Sequence, residues 1–257
     1  TRVRDNDLRG ALFSTLHEAG HALYEQGIAR ELAGTPLAKG TSAGAHEGQA
    51  RLWENLVGRS WEFWRFFYPR LQSVFPQLDA VPLDLFYRAI NKVQPSLIRT
   101  AADEVTYNLH IIMRFALEQD LLAGRLAVRD AAEAWRECFA ATMGIVPPND
   151  RDGVLQDVHW YGFILGPTYQ NYALGNIMSA QLFAAALQDE PEIRARMALG
   201  DFESLHSWLK GNVYHHGRKF DAPHLIERAT GQLLTIEPYV DYLQQKYGEL
   251  YECDWTS

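Results

Sequence analysis

Cysteine is scarce in this chain: Cys138 and Cys253 are the two in 257 residues. The disulfide framework of a small secreted domain needs more, so the pattern is that of free thiols in a reducing compartment such as the cytoplasm. Neither cysteine has a neighbour at metal-ligand spacing. Basic runs are missing too. The chain carries 24 Lys and Arg against 32 Asp and Glu, a net charge of −8 at pH 7. With no basic stripe to track a phosphate backbone, nucleic acid is excluded as a partner. No apolar run approaches the ~20 residues that cross a bilayer. The richest, residues 61–68, is interrupted by Glu62 and Arg65 and reads as a core-packed helix, with a membrane-surface helix as the alternative, so no membrane partner is expected. Residues 1–8 are charged rather than signal-like, and the chain opens on Thr1 without Met, which suggests processing or a piece of something longer. Repeats and low-complexity tracts are absent, and strand patterning is confined to residues 36–42 and 154–158.

Helical periodicity fills the rest. Hydrophobic residues make up 47% and charged ones 22%, enough apolar content for one large core or two smaller ones. Leu8, Leu12, Leu16, Ala19 and Leu23 recur at intervals of three and four, so residues 5–27 form one helix, capped by Asp5 or Asp7 and stopped by Gly27. Gly34, Pro36, Gly40 and Gly44 make residues 28–45 a loop or hairpin, and a second helix follows over 45–68. Ile98, Ala102, Val105, Leu109, Ile112 and Ala116 form a stripe that predicts one helix over 98–123. Further helices are expected at 82–91, 130–143, 172–188, 191–199, 201–213, 222–229 and 236–250. The fold class is mainly α, with a small β hairpin.

Within the first helix stands His17-Glu18-Ala19-Gly20-His21, an HExxH motif. One turn is ~3.6 residues, so His17 and His21 share a face and reach one divalent metal, while Glu18 stands beside them to take a proton from water. The plainer alternative is a helix with two satisfied histidines, but the helix is predicted independently of the motif. Zinc suits such a site and brings the pKa of a bound water towards ~7. A catalytic zinc needs a third protein ligand, and no further histidine follows at His-x-x-Gly-x-x-His spacing. The third ligand is then a carboxylate: Glu47, in His46-Glu47-Gly48-Gln49 at the start of the next helix, with Glu54 and Glu25 as rivals.

These residues resemble the Taq-type metallocarboxypeptidases (thermostable carboxypeptidase 1 family). The resemblance rests on His17 through Gly27, on His46-Glu47-Gly48-Gln49 and on Arg51-Leu52-Trp53-Glu54-Asn55. Ile98-Arg99-Thr100-Ala101-Ala102-Asp103 is similar to the family's [IV]RxxAD, and Gly153 to Trp160 to its GxxQDxHW. The resemblance runs from about Arg2 to Tyr251. It implies a zincin-like, cleft-forming helical architecture, with residues 1–257 as a single catalytic region. The family's DxRxT motif before HExxH is missing, and members are about twice this length. The expectation is therefore a C-terminal half, whose activity alone is open because the other half would cover the site.

The resemblance favours Glu47 as third ligand and Glu18 as general base, then proton donor to the leaving amine. It makes Arg99 the group that takes the free C-terminal carboxylate of a peptide substrate, in place of a simple i,i+4 pair with Asp103. His159 and Tyr172 become hydrogen-bond partners of the substrate or its oxyanion, against the alternatives of a histidine paired with Asp157 and a packing tyrosine. Members of the family are commonly homodimers, an alternative use for the aromatic stretch at 61–68. Cobalt or manganese would also fit the ligand set. Two other readings compete with a carboxypeptidase: a related helical zinc oligopeptidase (endopeptidase or dipeptidyl carboxypeptidase), and a metal-binding fragment inactive without its N-terminal half.

Overall fold

A computed structural model describes residues 7–160, 166 and 168–255. Its helices are α1 (Leu8–Gln26), α2 (Ala43–Arg51), α3 (Trp61–Val74), α4 (Leu83–Ile90), α5 (Tyr107–Leu122), α6 (Ala131–Met143), α7 (Gln170–Asp189), α8 (Ile193–Met197), α9 (Glu203–Asn212), α10 (Ala222–Thr230) and α11 (Glu237–Tyr251). The chain folds as two compact units, one of residues 1–91 with 174–257 and one of residues 92–173. The first unit buries Phe13, Tyr24, Leu52, Trp64, Leu182, Ile193, Leu209 and Tyr214 in one core. The second is centred on Met113, Leu117, Trp135, Phe139 and Met143, contributed by α5 and α6.

Local chemistry sets the helix ends. Asp7 caps α1 by accepting from the Gly10 N–H, and Ser42 caps α2 by accepting from the Ala45 N–H. The helix expected over 45–68 is in fact two. The α2 ladder widens into a π-helical stretch at Leu52–Val57, where Gly58 N–H bonds back five residues to Trp53. The chain then turns at Gly58-Arg59-Ser60, and Ser60 caps α3 through the Phe63 N–H. The helix expected over 98–123 starts only at Tyr107. Asp103 stops it earlier, because its carboxylate accepts from the Val105 and Thr106 N–H groups and the Thr106 hydroxyl.

The expected β hairpin is a correction, since no strand occurs among the described residues. Residues 36–42 spend their backbone groups on local turns and on side chains. Ala38 N–H bonds Thr35 O, Gly40 N–H bonds the Glu25 carboxylate, and Thr41 N–H bonds the Tyr24 hydroxyl. Val154–Gln156 is a 3-10 turn. Neither stretch has a partner strand among the described residues.

One approach positions the site. α1 and α2 pack with Gly20 against backbone: a Cβ there would lie 2.6 Å from Gln49 O and 2.7 Å from Ala50 Cα. Only a residue without a side chain permits this spacing. Gly20→Ala should therefore destabilise the fold by about 1–2 kcal/mol, overpacking at ~1–3 kcal/mol outweighing up to ~1 kcal/mol of helix propensity. Gly211→Ala in α9, where an added Cβ meets nothing within 4 Å, should stabilise by roughly 0.5–1 kcal/mol. Urea midpoints of both variants check the pair. Equal shifts would mean that the α1–α2 approach imposes no constraint.

Candidate metal centre

The α1–α2 crossing brings three side chains to one point in the first unit. The Nε2 of His17 lies 3.7 Å from Glu47 Oε2, and the Nε2 of His21 lies 3.9 Å from the same oxygen. One ligand atom from each of the three lies within 4.8 Å of the others. Gly175 of α7 leaves room for the Glu47 side chain, since a Cβ there would stand 3.0 Å from Glu47 Cγ. Glu18 is exposed on α1, next to His17.

Every other polar atom of the trio is already engaged. His17 Nδ1 is 3.0 Å from the Glu54 carboxylate, so it carries the proton and Nε2 keeps its lone pair. His21 Nδ1 is 2.6 Å from His46 Nδ1. Glu47 Oε1 accepts from Arg51 Nε at 2.9 Å, while Arg51 Nη1 donates to Glu54 at 3.1 Å. The donor set left over is two imidazole nitrogens and one carboxylate oxygen, facing one another. That composition fits a divalent metal. Burial, with His17 and His46 adding to it, lowers the pKa of His21 and favours the neutral ring a metal requires. Glu54 is held at about 2: burial opposes its charge, but Arg51, the bond to His17 and Arg59 overcome this.

The rivals for third ligand thus separate by position. Glu54 and Glu25 both bond to histidine rings rather than joining the trio, Glu25 through His46. The sequence carried a signal for one supporting residue: Arg51 stands four places after Glu47, the spacing of a helical ion pair. The roles of Glu54 and His46 had no such signal, because they depend on how α1 and α2 are docked.

The remaining sequence candidates gather in the second unit. Arg99 is buried and does not pair with Asp103. It sits in a 3-10 turn and donates from Nε to Asp157 Oδ2 at 2.7 Å and from Nη1 to the Tyr107 hydroxyl at 3.1 Å. Its guanidinium lies 4.8 Å from the centre of the Tyr172 ring. Burial works against the Arg99 charge, but Tyr107 and Asp157 more than restore it, so its pKa is raised. His159 Nδ1 bonds Asp157 Oδ1, and its Nε2 accepts from the Tyr172 hydroxyl at 3.1 Å. Sequence reasoning missed Arg114, fully buried, which donates to the same Asp157 oxygen as Arg99 at 3.2 Å.

Asp157 is the anion that holds these cations. Burial raises its pKa, yet Arg99, His159 and Arg114 pull it down from 3.8 to about 2. A depressed folded-state value means stability that is fully present above about pH 4 and lost as pH falls through about 2. Asp157→Asn should cost roughly 3–5 kcal/mol, because the fully buried Arg114 loses its counter-charge. It should also remove this part of the acid sensitivity. Melting temperature followed from pH 6 to pH 2 checks both effects; a variant as acid-sensitive as the parent chain would contradict the assignment.

Comparison with known proteins identifies the family. A family model described as Carboxypeptidase Taq (M32) metallopeptidase matches residues 1–247. Thermostable carboxypeptidase 1 of Thermus thermophilus is 45% identical over 251 residues, 98% of this chain and 49% of that protein. Carboxypeptidase 1 of Bacillus subtilis is 42% identical over 252 residues, 98% of this chain and 50% of that protein. Among solved structures, an M32 carboxypeptidase from Deinococcus radiodurans R1 superimposes with a TM-score of 0.97 at 55% identity, over 98% of this chain and 51% of that one. The chain spans about half the length of the curated relatives it matches. With the family model matched along nearly its whole length, the chain belongs to the Carboxypeptidase Taq (M32) metallopeptidase family.

Proposed function

We propose that this chain is the metal-bearing part of a carboxypeptidase that removes single C-terminal residues from peptides, with one zinc ion held by His17, His21 and Glu47. The convergence of two bare imidazole nitrogens on the free oxygen of Glu47 carries the reading. Cobalt fits the same donors, whereas manganese, the harder ion, fits them less well, since imidazole favours the later metals. The proposal assigns residues 1–257 to one catalytic region. The relatives' names, carboxypeptidase 1 in each case, support the reaction class. The free thiols of Cys138 and Cys253 suit the cytoplasm.

A zinc ion at this site would supply a Lewis acid, polarising the scissile carbonyl and acidifying water. The chain's own residues do the rest. Arg51 fixes Glu47 by taking Oε1, and Glu54 fixes the His17 ring by accepting its Nδ1 proton. Glu18 accepts the proton of the attacking water and returns it to the leaving amine. For Arg99, a peptide carboxylate would meet the remaining Nη protons, since Nε is taken by Asp157 and one Nη1 proton by Tyr107. Tyr172 has a hydroxyl proton to redirect towards an oxyanion, while Asp157 keeps the His159 ring in place.

Zinc content and product analysis test this together. The chain should hold one zinc, and Glu47→Gln should weaken it. Glu18→Gln should keep the zinc and lower peptide turnover by about 10²–10⁴-fold, the usual worth of a general base. A peptide acid should release its last amino acid, whereas the matching C-terminal amide should be spared. Release of dipeptides or internal fragments would point to an oligopeptidase instead. Zinc binding with no turnover, restored by adding the N-terminal half of a relative, would mean that this half is a metal-binding fragment.

A further inference from the structure

Beyond the ligands lies a hydrogen-bonded chain in the first unit that no metal-binding motif requires. His21 Nδ1 stands 2.6 Å from His46 Nδ1, and His46 Nε2 stands 3.0 Å from Glu25 Oε1. Two nitrogens can share a hydrogen bond only if one carries the proton and the other a lone pair. The far end of the chain decides which. An ionised carboxylate only accepts, so His46 Nε2 must be its N–H. In a neutral imidazole the other nitrogen is then bare, so His46 Nδ1 accepts. His21 Nδ1 must therefore be the donor, and its Nε2 is left without a proton, facing Glu47.

We propose that Glu25 and His46 form a tautomer relay that holds the His21 Nε2 lone pair ready for a metal. The inference rests on reading His17, His21 and Glu47 as the metal centre. His46 and Glu25 are positioning residues in this scheme. His46 is one hydrogen bond and Glu25 two hydrogen bonds removed from the His21 ring, and both act through it. His17 has the shorter arrangement, a carboxylate directly on its Nδ1. The two histidines thus reach the same tautomer by different routes, one through a carboxylate and one through a carboxylate and an intervening imidazole. Such outer partners commonly govern ligand orientation and affinity.

The relay is anchored at its outer end. Glu25 Oε1 also accepts from the Gly40 N–H at 2.9 Å, and Gly40 O in turn accepts from Arg218 Nε at 2.8 Å. The His46 ring is braced by Tyr24 with 5.5 Å between ring centroids, and Tyr24 donates no freedom of its own, since its hydroxyl holds the Thr41 N–H at 3.1 Å. The loop between α1 and α2 is therefore the element that fixes Glu25 relative to His46.

Glu25→Leu makes the sharpest test, because it removes the acceptor; an amide would keep its oxygen on the Gly40 N–H and so still accept from His46. With no acceptor at Nε2, His46 is free to move its proton to Nδ1, which moves the His21 proton to Nε2. The side-chain nitrogens of metal-free chain with labelled histidine should show by NMR a protonated Nδ1 on His21 and a protonated Nε2 on His46. In Glu25→Leu the Nε2-protonated form of His21 should appear, whereas Glu25→Gln should keep the parent tautomers. Zinc affinity, measured by competition with a chelating dye, should fall about 10-fold or more in Glu25→Leu and in His46→Phe. Glu227→Gln, on α10, serves as the unchanged control. A parent chain whose His21 carries its proton on Nε2, or a Glu25→Leu variant with unchanged tautomers and affinity, overturns the relay. The expected tautomers in a chain that takes up no zinc would support the relay and contradict the metal-centre reading, so the two failures are distinct.

Discussion

The structure depends on the contact between the backbone of α1 at Gly20 and that of α2 at Gln49 and Ala50. Gly20 lies between the two histidines of the motif, and the facing residues follow Glu47 by two and three positions. A wider crossing would carry Glu47 away from both rings at once. The same approach delivers Glu54 to His17 and His46 to His21, so the proposed ligands and their supports are set by one packing event. Here a fold-level requirement, close passage of two helices, and a chemical requirement, convergence of three donors, are satisfied by the absence of one side chain.

Both polar clusters solve the problem of charge in a poorly solvated place, with opposite signs. Around His17 and His21 the carboxylates Glu47 and Glu54 are balanced by Arg51, which bonds to each. Around Asp157 one carboxylate is shared by Arg99, Arg114 and His159. Buried charges persist only where every partner is in place, so each cluster also fixes side-chain orientation. In the proposed reaction, orientation is what such groups would supply, because a lone pair aimed the wrong way contributes nothing.

The helices were readable in the sequence, because their apolar spacing is local. The expected and observed segments from 172 to 250 nearly coincide. The grouping of His17, His21 and Glu47 was readable too: HExxH sets two histidines on one helix face, and the resemblance favoured Glu47, whose carboxylate the structure brings to both rings. What could not be read turns on competition for hydrogen bonds. Asp103 looked like a helical partner of Arg99 but accepts the Val105 and Thr106 N–H groups of the turn before α5 instead, and Arg99 pairs with Asp157, 58 residues away. The hairpin failed for a similar reason: the backbone at Gly40 and Thr41 is drawn to Glu25 and Tyr24 rather than to a strand. The relay through His46 was hidden because adjacency to Glu47 in sequence says nothing about where the ring turns.

The central claim is that zinc is held by two imidazoles and a carboxylate at the crossing of α1 and α2. X-ray absorption of the zinc-loaded chain tests it most directly, since the method reads the ligand atoms themselves. The account predicts a first shell of nitrogen and oxygen at about 2.0–2.1 Å, with outer scattering from two imidazole rings. A sulfur shell near 2.3 Å, which would bring in Cys138 or Cys253, or scattering from a different number of imidazoles, would contradict it.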